Sequence, residues 1–411
     1  MTLPDPAALR RSRAATRVQF LVLGVLIGAW GAHIPSIKAH HGLSDGTLSA
    51  VLLAAALGAV SSLFTAGRVM AALGARRTAA GAAVLGGVLL GSVLAFQGLP
   101  MNLLLLQVVA LGACMCLFDV ALNTEGTTLE RLGGRPVMSQ LHGMFSVGGM
   151  LGAGAVAALL GVGLSPTVQL WGLGLGVGLV ALVAARGMLP GQVHDQGHEP
   201  WQEREPRQVQ AQGAGQPGVL QAAPQAHFAW PRGPLLVIGL LILAGMTAEG
   251  AMYDWCVLYL QQELGQPQSQ AALGYAVFSA SMAASRFGGD ALRARFDEAL
   301  LLRWGATLAA AAMAVVLLSA HPVVAWLGFA VVGAGLALVA PILFSAATRV
   351  PGVSPAAAIA SVTSVGYSGF MLGPPLIGAL ATASSLTWAL GVVVLACALL
   401  AWGAGRVPGR E

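Results

Sequence analysis

Hydrophobic residues in this chain come in long, nearly unbroken blocks, separated by short breaks rich in polar residues, glycine and proline. A block of about 20 apolar residues, wound as an α-helix, matches the hydrocarbon thickness of a bilayer. That window predicts twelve spans, near 14–34, 46–66, 78–98, 102–125, 138–161, 166–189, 234–260, 271–291, 299–319, 322–346, 356–381 and 385–404. The residue-by-residue alternation of a membrane β-barrel is not the pattern here. One long polar stretch, 191–227, is rich in Gln, Pro and Gly and is expected to be a disordered cytosolic linker. The predicted organisation is therefore an N-terminal six-helix bundle over 1–189, a linker over 190–232, and a C-terminal six-helix bundle over 233–411.

Composition supports this. Of 411 residues, 56% are hydrophobic and only 9% charged, against about a quarter charged in a soluble domain. The fold class is an all-α polytopic membrane protein, and 55 glycines suit close helix packing. The first block follows a basic "RRSR", but it is long enough to span and has no convincing small-residue cleavage site. Cys114, Cys116, Cys256 and Cys397 all fall inside predicted spans without metal-site spacing, and read as small hydrophobes. No metal and no cofactor is expected.

The charges orient the chain. With the N-terminus in the cytosol, twenty of the 21 basic residues fall on the cytosolic side, and only Lys38 on the other. The positive-inside rule then places both termini in the cytoplasm, which suits a bacterial inner membrane. The basic balance belongs to that orientation, so no nucleic-acid partner is implied.

An offset of 221 residues lays one half on the other. It superposes "MLG" at 150–152 on "MLG" at 371–373, and pairs Gly24 with Gly245, Gly67 with Gly288 and Gly112 with Gly333. Two pseudo-symmetric six-helix bundles follow, with a solute site expected between them near the midplane. Six plus six spans around a central loop resemble the major facilitator superfamily. The strings "GAWGAHIPSIKAHHGLSDGTLS", "DVALNTEG", "RPVMSQLHGMFSVGGMLGAG", "AEGAMYDWCVLYL" and "GYSGFMLGPPLIGAL" resemble its bacterial YbjJ-like branch, which is related to the fucose–proton symporters. That resemblance implies alternating access and proton coupling.

Candidate chemistry lies in the few charges inside the spans. Asp119, with Asn123 one turn on, is in the fourth span with no basic residue predicted at its depth. Burial disfavours the charged carboxylate, so such a group can load and release a proton. Similar fucose symporters carry an acid at this place, followed four residues later by Asn. Glu249 and Asp254 lie in the seventh span, Glu249 nearer the middle, and five residues of helix point them about 140° apart. Glu249 is the second proton-coupling candidate. Asn123, Asp254, Trp30, His33, Tyr253 and Tyr367 are the expected substrate cavity. His33 could also face Asp254 across an outer mouth, and His142 could pair with Glu125 or Glu130.

The loop "GRVMAALGARR" resembles the superfamily's cytosolic latch through Gly67, Gly74, Arg76 and Arg77, but Ala71 stands where the acid belongs. "RFGGDALRAR" keeps Asp290 with Arg286, Arg293 and Arg295. The Gly–Pro pair that marks antiporters on the fifth span lies here in the eleventh, at Gly373–Pro374. No nucleophile, metal cluster or phosphate-binding loop suggests an enzyme. The expected function is secondary transport of a small polar solute by proton-coupled symport, in a protein whose partners are solute, protons and lipid, and which is monomeric. A proton-driven exporter and a transport-dead sensor are the alternatives.

Overall fold

A computed structural model describes residues 5–134, 137–190 and 231–407. The expected linker falls almost wholly outside the described residues, as does Arg135. Helices follow one another as α1 (Pro6–His40), α2 (Asp45–Ser92), α3 (Met101–Gly133), α4 (Met138–Gly161) and α5 (Pro166–Ala185), then α6 (Pro234–Gln262), α7 (Gln268–Arg295) and α8 (Glu298–Ser319). The chain continues through α9 (Pro322–Leu336), α10 (Val339–Ala347), α11 (Pro355–Ala383), α12 (Leu386–Ala389) and α13 (Gly391–Gly403). Many starts are set by short polar side chains. Asp5, Ser44, Asp297 and Ser354 each accept a hydrogen bond from a backbone N–H of the first turn.

Nine of these helical stretches are long and apolar enough to cross a membrane. The 48-residue α2 is about 72 Å of helix, enough for two crossings of a ~30 Å core. It folds back at Gly74, whose φ of 74° and ψ of 161° break the helix. With α2 counted twice, α7, which is the more polar, and α11, of 28 and 29 residues, complete the twelve among the described residues. Gly74 holds a conformation that an L side chain rarely adopts. Gly74→Ala should therefore cost about 1–3 kcal/mol, read as a lower melting temperature in detergent. Gly67→Ala, where a Cβ meets open space, should change it little.

The packing repeats across the two halves. In the first, α1 packs on α4 and α5, and α2 on α3 and α5. In the second, α6 packs on α11 and α13, α7 on α9, and α8 on α13. The repeat reaches single residues: a Cβ on Gly112 would strike the carbonyl of Ala55 in α2, and one on Gly333 the carbonyl of Phe278 in α7. These glycines let backbones approach where the 221-residue offset expects it.

The halves meet through α4 against α7 and α2 against α11, with α1 touching α6 and α7. At the face opposite the chain's N-terminal end the seam is tight. Gln268 Nε2 donates to the Ala32 carbonyl at 2.9 Å, and Ser36 Oγ donates to Gln268 Oε1 at 2.9 Å. Nearby, Gly378 of α11 sits directly on Ser49 of α2.

Candidate functional site

Helix α7 carries Arg286 about two turns from its end, where surface exposure would be expected of an arginine. Its backbone carbonyl accepts a hydrogen bond from Ser139 Oγ at 3.3 Å. The side chain instead reaches inward along the seam. Its Nη1 donates to Ser146 Oγ at 2.8 Å, and its Nη2 lies 3.3 Å from Glu249 Oε1. Both charged side chains are largely buried, 12% and 16% exposed. Tyr253 Oη donates to the same Glu249 oxygen at 3.2 Å, and its ring lies 5.4 Å from those of Tyr275 and Phe278. His142 sits within electrostatic reach of Arg286, its ring edge-on to Phe20 at 5.4 Å. The cluster thus joins α4 of the first half to α6 and α7 of the second.

This rearranges the sequence assignments. Arg286, grouped with Asp290 as a surface latch, has a long enough side chain to reach Glu249 instead. Asp290 is exposed and makes no ion pair among the described residues. Arg293 pairs with Glu298 at 2.6 Å, and Glu298 also takes Arg349 at 2.8 Å. Glu298, 2% exposed, ties α7, α8 and the end of α10 together. Arg76 and Arg77 are exposed beside the Gly74 break, and Gly67 faces open space.

His142 does not pair with Glu125 or Glu130. Glu125 accepts from Ser12 Oγ and from the Leu189 N–H at 2.8 Å, while Glu130 accepts from the Val137 and Met138 N–H groups at 2.6 and 2.9 Å. Nor does His33 face Asp254. Fully buried, it shares a 3.2 Å hydrogen bond with Ser36 through Nδ1, and its Nε2 is turned to Gln169 without a bond of normal geometry. Trp30 is 7% exposed and belongs to the packed core in this conformation. Asp254 is partly exposed, with Tyr275 within electrostatic reach.

Asp119, on α3, stands apart from the charged cluster. It is partly exposed and has no ion pair among the described residues. Asn123 Nδ2 donates to its backbone carbonyl at 2.9 Å. Across from it, Tyr367 of α11 is 39% exposed and feels the Asp119 charge. The site is thus two patches: a neutralised ion pair in the seam, and a lone acid with an aromatic partner on the other half. Among the described residues no group of three His, Cys, Asp or Glu side chains could hold a metal ion.

The family model for the Major Facilitator Superfamily matches residues 18–368. An uncharacterised MFS-type transporter of Yersinia pestis is 33% identical, with 93% of this chain and 92% of that protein covered. An uncharacterised transporter of Sinorhizobium fredii is 32% identical over 93% of this chain and 94% of its own. Among solved structures, a bacterial homologue of the human lysosomal transporter Spinster, inward-facing and unoccupied, superposes with a TM-score of 0.67. It is 15% identical, with 98% of both chains covered, which speaks for the fold alone.

Proposed function

We propose how this chain, which belongs to the Major Facilitator Superfamily and is a membrane transporter of that type, does its work: it moves a small polar solute by alternating access, coupled to protons. The observation that carries the coupling is Asp119. A carboxyl held within a membrane helix without a cation partner is costly as a permanent charge, and its partial exposure gives protons a route to it. The seam closed at Gln268 and Gly378 supports a rocking motion of the halves, in which that face opens as the other closes. With the basic residues on the cytosolic side, both termini are cytoplasmic, the membrane is a bacterial inner membrane, and the state described is inward-facing.

Symport, the expectation from the YbjJ-like and fucose-symporter resemblance, has the proton on Asp119 and the solute at the seam, beside Glu249, Arg286 and Tyr253. Exchange has proton and solute taking turns at Asp119 itself. One observation favours exchange: the Arg286 charge is already matched by Glu249 and bonded to Ser146, whereas Asp119, like Asp254, has no cation partner among the described residues. The test is solute-driven proton movement in proteoliposomes carrying an internal pH dye. Asp119→Asn should lose at least about tenfold of the coupled signal. An unchanged signal would return Asp119 to a structural role.

A further inference from the structure

Asp119 has no cation partner among the described residues, and the serine hydroxyls on the neighbouring helices are spent on their own backbones. Asn123 Nδ2 donates to the Asp119 carbonyl at 2.9 Å, its amide also lies within hydrogen-bonding reach of the Asp119 carboxyl, and its Oδ1 accepts no hydrogen bond among the described residues. Ser62 of α2, within hydrogen-bonding reach of Cys116 one turn from Asp119, donates its hydroxyl to the Ala59 carbonyl at 2.7 Å. Ser364, one turn from Tyr367 on α11, donates to the Ala360 carbonyl at 2.8 Å, and Ser368 to that of Val365 at 2.6 Å. Each of these hydroxyls has given its single hydrogen to its own helix, so only its lone pairs remain. Tyr367 adds an aromatic ring, and makes no hydrogen bond among the described residues.

The other charged groups leave this balance intact. Within electrostatic reach of Asp119 are Cys116 on its own helix and Tyr367 on α11. Helix α2, packed on α3, carries its charges at Asp45 and at Arg68, Arg76 and Arg77 around the Gly74 break. Helix α1 carries them at Arg10, Arg11, Arg13 and Arg17 toward one end and Lys38 toward the other, with His33 buried against Ser36. Helix α4 brings His142, which lies with Arg286.

From this geometry we infer that the solute is a cation, an amine on a small polar frame, whose ammonium docks on Asp119 and Asn123 Oδ1 against the Tyr367 ring. An ammonium brings three donors to the carboxylate, the Asn123 amide oxygen and the free serine lone pairs, and its charge suits both the carboxylate and an aromatic face. A neutral polyol would leave the acid uncompensated, and a carboxylate would be repelled. This inference rests on the transport reading and gives it a direction. Proton and ammonium compete for one carboxyl, so the cycle is an exchange: a proton bound from one side releases the amine, and the amine bound from the other releases the proton.

The experiment uses the purified full-length protein and three size-matched probe sets: glucosamine and galactosamine, glucose and galactose, glucuronate and galacturonate. Binding is read by thermal shift across a pH series, beside solute-driven proton movement in vesicles. The amines should bind at least about tenfold tighter than the neutral sugars. They should lose that margin in Asp119→Asn and keep it in Asp119→Glu, which retains the charge and checks that folding survives. Competition sets the sign with pH: amine affinity falls as pH drops through the carboxyl's titration range, approaching tenfold per pH unit. A preference for neutral or acidic probes overturns the inference while leaving the transport reading in place, as does amine binding unchanged in Asp119→Asn or insensitive to acid. Silence from all three sets, with no solute-driven proton movement, removes the proton-coupled reading and the inference with it.

Discussion

Arg286→Met should lower the stability of the protein by about 3 kcal/mol, and Glu249→Gln in the same chain should restore most of it. Removing one partner of a buried ion pair strands the other, at about 3–5 kcal/mol. The lower end applies here because Glu249 is 16% exposed, so water can reach the stranded carboxylate. Tyr253, which donates to Glu249 at 3.2 Å, can go on doing so to the glutamine oxygen of the double variant. Replacing both ionic partners with groups of similar volume is often close to neutral. The measurement is thermal denaturation in detergent for wild type, each single variant and the pair. If the double variant is as unstable as Arg286→Met, the stabilisation comes from the Arg286–Ser146 bond across the seam and not from the ion pair. Ser146→Ala, which removes that bond and the weaker one from Ser146 Oγ to the His142 carbonyl at 3.3 Å, should cost about 1.5–3 kcal/mol, the range of a hydrogen bond to a charged group.

The fold was legible because the bilayer imposes a single length scale on every element. Apolar block length gave the spans, and the repeat gave the pairing of the halves, visible in the matched positions of Gly112 and Gly333. Gly74 was legible as a loop glycine, though not as the only interruption of a 48-residue helix. Side-chain reach was not legible. An arginine near a helix end reads as a surface charge, and nothing in "SRFGG" says that Arg286 turns inward to a glutamate 37 residues earlier. Glu298 was passed over for the same reason: the first turn of a helix explains an acid without Arg293 and Arg349. Asp119 could be found because a lone acid in an apolar run has few explanations. The spent hydroxyls around it could not, since a serine in a helix reads alike whether its hydrogen goes to its own backbone or to a ligand.

Gly378→Val should bias the protein toward the conformation opened at the face opposite its N-terminal end. A Cβ at 378 would overlap Ser49 Oγ, and would also lie 2.6 Å from Ser49 Cβ and 3.1 Å from the Asp45 carbonyl oxygen. Ser49 has little freedom to retreat, being 4% exposed with its hydroxyl bonded to that same carbonyl at 2.8 Å. The clash therefore falls on the contact between α2 and α11, one from each half. It exists only while the halves are together at this face. Overpacking of this kind costs about 1–3 kcal/mol, which shifts a two-state equilibrium by roughly 5- to 150-fold. A valine at Gly112 strikes α2 within the first half, and so should lower stability without choosing between states. With Ser49→Cys as reporter, a membrane-impermeant maleimide should label the Gly378→Val protein at least about fivefold faster than its Gly378 parent. The same reporter with Gly112→Val should label at the parent's rate. Equal labelling in all three, with a lower melting temperature for Gly378→Val, would make the α2–α11 contact static packing, and the opening of this face would have to occur elsewhere along the seam.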